Sequence, residues 1–169
     1  MTHNYIYKKA LRIAHRCGTR DPMRIAKELG IHVQFSNEFQ LLKGMYCVID
    51  RSRFIIINAN LSERDKKTVC AHEIGHDVLH RQIAKVSPFQ EFGLYDIKSR
   101  TEYEANIFAS DLLIDDDEIL TLINEDYDIC HIAGELDADI NIVLIKVDEL
   151  RRRGYNVKAP YRPRSDFLK

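Results

Sequence analysis

The sequence predicts an α+β fold: a small, roughly three-stranded sheet packed on one long helix, followed by a mostly helical C-terminal half. Three observations predict it. Between Ile31 and Asn58 the apolar residues alternate or run together in short, β-branched stretches. From Glu63 to about Arg81 the chain is helix-compatible throughout. From Thr101 to Arg152 apolar residues recur at helical spacing, with short polar breaks. A chain of 169 residues suits one domain with a real core, here residues 1–154, with a basic, proline-containing tail over 155–169.

Each element has its own signal. Tyr5, Ile6, Ala10, Leu11, Ile13 and Ala14 repeat at helix period, and Gly18 stops them. Asp21-Pro22 reads as an N-cap followed by an N1 proline, and Gly30 ends that second helix. Ile31 to Phe35 alternates and reads as a short strand. Lys43 to Asp50 is a second strand, with a turn over Asp50-Arg51-Ser52-Arg53. Phe54-Ile55-Ile56-Ile57-Asn58 is a continuous apolar run, as expected of a central strand. Ser62 with Asp65 can cap the long helix that follows. Residues 82–99, with Pro88 and Gly93, show no period and read as a loop. Thr101 to Ile114 is the next helix. Asp115 to Glu118 cap a shorter one over Ile119 to Ile123, where acids favour a helix N-terminus. A pair follows, Ile129 to Leu136 and Ile140 to Arg152, stopped by Gly154.

Bulk properties exclude several classes. Net charge is -1, so no global field favours nucleic acid or an anionic membrane. No apolar run approaches the roughly 18 residues of a membrane span. The four cysteines, Cys17, Cys47, Cys70 and Cys130, form no C-x-x-C pair. With no leader-like start, the expectation is a reduced, cytoplasmic protein.

The chemistry concentrates in His72-Glu73-Ile74-Gly75-His76. On a helix, His72 and His76 project about 40° apart, one turn along the axis. Two neutral imidazoles so placed can hold one Zn²⁺, and Glu73 stands where a general base is needed without taking a coordination position. Gly75 leaves room for another backbone to pack close. A catalytic zinc needs a third protein ligand. Leu79 and Gln82 occupy the positions where a third-histidine motif would carry its glycine and histidine, so that class is excluded. His80 extends the i, i+4 series but cannot converge on the same ion from a straight helix; it reads as a helix-end or supporting histidine. Cys70 reads as a buried small residue; Tyr95 and Tyr103 are candidate oxyanion donors, with packing the favoured reading. The helix over 101–114 offers a carboxylate. Glu102 and Asn106 share one face, whereas Glu104 points about 200° away from Glu102. With Glu102 as ligand, Asn106 would support a ligand histidine and Glu104 would lie on the surface.

The two segments His72-Glu73-Ile74-Gly75-His76 and Glu102-Tyr103-Glu104-Ala105-Asn106-Ile107-Phe108-Ala109, with Leu112-Leu113 after them, resemble the ImmA/IrrE family of zinc peptidases. The similarity extends over most of residues 20–150 and includes the start at Asp21-Pro22. The resemblance implies a gluzincin-like core, one zinc held by His72, His76 and Glu102, and Glu73 as base. It also implies a substrate: a helix-turn-helix repressor of a mobile element or stress regulon, whose cleavage relieves repression. The family often has Met-Pro after the leucine pair; here Ile114-Asp115 stands there, beyond any site residue.

An extended substrate would align along a sheet edge, and the strand over 43–50 is the expected one. Residues 129–153 have a helix-turn-helix rhythm, but Glu135, Asp137 and Asp139 put negative charge where phosphates would approach. Packing or partner recognition is the expectation there, with no direct nucleic-acid contact and no membrane contact. The basic tail, with Lys158, Arg162 and Arg164, reads as a solvated end or a contact to an acidic partner. An association-only regulator or anti-repressor is the alternative function, and the intact Glu73 argues against it. Oligomeric state is not legible.

Overall fold

The computed structural model describes residues 1–84, 89–91 and 100–157. The N-terminal helix α1 (His3–Cys17) ends at Gly18, which adopts the left-handed conformation with φ 61°. Asp21 caps α2 (Pro22–Glu28) by accepting the Met23 backbone N–H at 3.0 Å. Three strands follow: β1 (His32–Ser36), β2 (Gly44–Ile49) and β3 (Ser52–Asn58). The β2–β3 loop is two residues long, and both carry positive φ, 47° at Asp50 and 69° at Arg51. That turn matches the twist of a tight hairpin.

β3 is central, as its apolar run predicts. It pairs in parallel with β1 and antiparallel with β2. Residues 37–43 return the chain from β1 to β2, and the Asn58 side chain holds them by donating to the carbonyls of Phe39 and Leu42, each at 3.0 Å. A fourth strand, β4 (Phe89–Glu91), pairs antiparallel with Gly44–Tyr46 and gives the order β1-β3-β2-β4. The loop expected over 82–99 is thus corrected at these three residues, and also at 82–84, which continue the long helix before it. A three-residue segment is too short to display a period; pairing with β2 makes it a strand. Residues 85–88 and 92–99, Tyr95 among them, lie outside the described residues, as does the tail from Lys158.

The long helix α3 (Glu63–Ala84) lies across the sheet, with its start capped by Ser62, whose Oγ accepts the Asp65 N–H at 3.1 Å. Val69 and Ile74 of α3 and Tyr46, Ile55 and Ile57 of the strands are all fully buried. On its other side α3 carries α4 (Arg100–Leu113), which also packs on α1 and on α7 (Ile140–Arg152). Between α4 and α7 lie α5 (Asp116–Asn124) and α6 (Ile129–Glu135). Asp115, Asp128 and Asp139 cap α5, α6 and α7 with their carboxylates. Of the acidic run expected to cap α5, only Asp115 does so; Asp116 to Glu118 form its first turn. The 129–153 segment folds as the expected helix pair, and Ile132, Ile142, Val143, Val147 and Leu150 bury its inner face.

Two buried ionic clusters brace these layers. Asp77 accepts from the Tyr46 hydroxyl at 2.6 Å, from Arg53 at 3.0 Å and from Arg81 at 2.7 Å, tying α3 to the sheet. Burial and the Asp77 carboxylate push the Tyr46 phenol far above its ordinary pKa. Lys146, fully buried on α7, lies 2.9 Å from Asp111 and 2.6 Å from Asp116. Arg153 and Tyr7 complete this second cluster at Asp116, both at about the length of an ordinary hydrogen bond. No helix among the described residues is long and apolar enough to cross a membrane.

Candidate metal centre

His72, Glu73 and His76 all lie on the buried part of α3. Three donor atoms converge there. His72 Nε2 and His76 Nε2 are 3.0 Å apart, and Glu102 Oε2 of α4 lies 3.1 Å from the first and 3.4 Å from the second. A tetrahedral ion with bonds of roughly 2.0–2.1 Å requires donor separations of about 3.3 Å. The triangle fits such an ion with small adjustment, and among the described residues this is the group of histidine and acidic side chains that could hold a metal.

The surroundings set the charge state of each donor. The His72 Nδ1–H donates to Asn106 Oδ1 at 2.9 Å, which directs the Nε2 lone pair of His72 toward the other donors. Burial pushes the His76 imidazole down to about 4, so it is neutral near pH 7, as a ligand must be. Burial would raise the Glu102 carboxyl, but His72 and His76 facing it outweigh that and hold it well below the usual carboxylate range. The donor set is two imidazoles and one carboxylate.

α4 reaches this position because of Gly75. A Cβ there would stand 3.2 Å from both Cα and O of Ala105 and 3.2 Å from a ring carbon of Phe108. The two backbones cross at this point, as the glycine suggests. Ala105 sits on the contact line, with Glu102 and Asn106 on one flank and Glu104 on the other. Glu73 is wholly buried and faces β2 at Gly44.

Two expectations are corrected here. Glu104 is not a surface residue: it is 5% exposed and its Oε2 lies 3.0 Å from His80 Nε2. The expectation fails because α4 is enclosed by α3, α1 and α7, so no side of its middle faces solvent. The edge of β2 is not open along its whole length either, since β4 covers Gly44–Tyr46. His80 stands outside the three-donor group, with its Nδ1 3.2 Å from His76 Nδ1. Burial lowers its pKa. Cys70 is fully buried, as expected, and Tyr103 is half-buried with its ring edge-on to His3.

Sequence comparison places this geometry in a lineage. The model of the peptidase M78 family, described as the IrrE N-terminal-like domain, matches residues 26–146. The chain belongs to that family. Residues 26–146 contain both halves of the site and the crossing at Gly75. A relative from Bacillus phage phi105, named "Uncharacterized immunity region protein 2", is 31% identical over 122 residues, which cover 72% of this chain and 76% of the relative. The family points to protease activity, and its members are typically metal-dependent, in agreement with the donor set.

Proposed function

We propose that this chain is a zinc-dependent endopeptidase that cleaves one specific intracellular protein, a helix-turn-helix transcriptional repressor, and so relieves repression. The observation that carries the reading is the convergence of His72, His76 and Glu102 on one point, with Glu73 buried beside the first histidine. The N, N, O donor set suits zinc, though the same set accepts other divalent ions. Membership of the peptidase family supports hydrolysis, and the relative named for a phage immunity region supports a regulatory substrate. The cytoplasm is the proposed location.

A divalent ion held by the three donors supplies Lewis-acid polarisation of a carbonyl and a lowered pKa for water. The residues do the rest. Glu73 accepts the proton of the attacking water on its carboxylate and passes it to the nitrogen of the leaving amine. Asn106 fixes the His72 ring so that Nε2 keeps its lone pair for the metal. Gly44 brings β2 against Glu73 and shields the base from bulk water on that side.

The test is incubation of the zinc-loaded protein with candidate helix-turn-helix repressors from the same genome, read by mass spectrometry of the products. Wild type is expected to cut at one site. Glu73→Gln is expected to keep zinc and lose 10²–10⁴-fold in rate, the span of a general base. A Glu73→Gln protein that cuts at the wild-type rate refutes the assignment.

A further inference from the structure

We propose that His80 is a positioning residue for the metal centre: backed by Glu104, it holds His76 with its proton on Nδ1 and its Nε2 lone pair toward His72 and Glu102. This rests on the metal-binding reading above and names how this chain's own residues prepare one ligand.

Four groups form a line leading away from the site. His76 Nε2 faces His72 and Glu102. His76 Nδ1 lies 3.2 Å from His80 Nδ1. His80 Nε2 lies 3.0 Å from Glu104 Oε2. The other Glu104 oxygen accepts from Arg100 Nε at 2.9 Å and from the amino group of Met1. His76, His80 and Glu104 are each at most 5% exposed, so these contacts lie away from bulk water.

The direction of the hydrogen bonds follows from the end of the line. Glu104 is surrounded by donors and is an anion, so it only accepts. His80 must therefore place N–H on Nε2. A neutral His80 then has a lone pair on Nδ1, and the short contact to His76 Nδ1 requires that His76 carry its proton there. His76 Nε2 is left with a lone pair aimed at the donor triangle. The reversed arrangement would set an imidazole lone pair against the Glu104 carboxylate at 3.0 Å and place the His76 proton on the atom that must bind metal.

The two ligand histidines thus use different supports. His72 is held by an amide from α4, whereas His76 is held by a histidine on its own helix that is itself anchored by a carboxylate from α4. An imidazole that donates from Nδ1 into such a chain is more basic at Nε2, and losing a support of this kind typically costs 10–100-fold in metal affinity.

The experiment measures zinc affinity by chelator competition and the visible spectrum of the cobalt-loaded protein. His80→Phe is expected to weaken zinc binding by 10–100-fold and to alter the cobalt bands. His80→Gln, whose amide oxygen can accept from His76, is expected to recover much of the affinity. Glu104→Leu should weaken binding, and Glu104→Gln, which keeps an acceptor, should weaken it less. A purely structural role predicts lower melting temperatures with unchanged affinity of the folded protein. Nitrogen NMR of the wild-type imidazoles supplies a readout that needs no variant: His80 is expected as the Nε2–H tautomer in the zinc-loaded protein. An Nδ1–H tautomer at His80, or a His80→Phe protein with wild-type affinity and spectrum, overturns the inference and leaves the metal site standing. A wild-type chain that takes up neither ion overturns both.

Discussion

Gly44 and Glu73 touch across the interface between sheet and helix: a Cβ on residue 44 would stand 2.9 Å from Glu73 Oε1 and 2.3 Å from Val69 Cγ1. The strand packs directly on the Glu73 side chain, and a side chain at residue 44 would not fit without a shift.

Gly44→Ala is therefore expected to push β2 off α3. Overpacking of this kind costs about 1–3 kcal/mol. The Val69→Ala double variant removes the nearer clash but not the one with the carboxylate. Thermal denaturation should show stability recovered in the double variant, and product formation should show activity still reduced.

Gly75→Ala tests the second close approach. Its neighbours are the Ala105 backbone and the Phe108 ring, and backbone does not yield as a flexible side chain does. A loss of about 1–3 kcal/mol is expected. Because Glu102 and Asn106 ride on the displaced helix, zinc affinity measured by chelator competition should fall as well.

Metal should stabilise the fold, because its donors come from two helices that an unfolded chain does not hold together. Zinc at 100 times its dissociation constant adds about 2.7 kcal/mol to unfolding. Differential scanning calorimetry with and without chelator should show the shift, and Glu102→Ala should abolish most of it.

Lys146→Met removes the buried cation between Asp111 and Asp116. Leaving a buried carboxylate without its partner costs about 3–5 kcal/mol. Denaturant unfolding should show that loss, and adding Asp111→Asn should return part of it. An unchanged midpoint in Lys146→Met would mean that the cluster contributes nothing net.

Much of this was legible in the chain, and the exceptions have physical causes. The i, i+4 histidines, the glycine between them and the β-branched central strand are local patterns, and the local pattern survives folding. Glu102 was legible because it shares a face with Asn106 and because the segment resembles a known family. Glu104 was not. A helical wheel tells which residues oppose each other, but not whether the far side of the helix is solvent, and α4 is walled in by helices separated from it by up to a hundred residues of chain. His80 shows the same limit: its spacing places it beside His76, while its partner Glu104 comes from another helix. β4 is a strand only through its pairing with β2.

The enclosure of α4 bears on redesign. Glu104, Asn106 and Asp111 are locked into the interior, whereas the Glu102 side chain keeps 21% of its surface open at the outer end of the same helix. Of the residues α4 brings to the centre, Glu102 is the one that can be exchanged without repacking the interior. On the proposed reading of Glu102 as a metal ligand, replacing it by histidine or aspartate is expected to retune metal preference at little structural expense, making this position the natural handle for converting the scaffold to another ion.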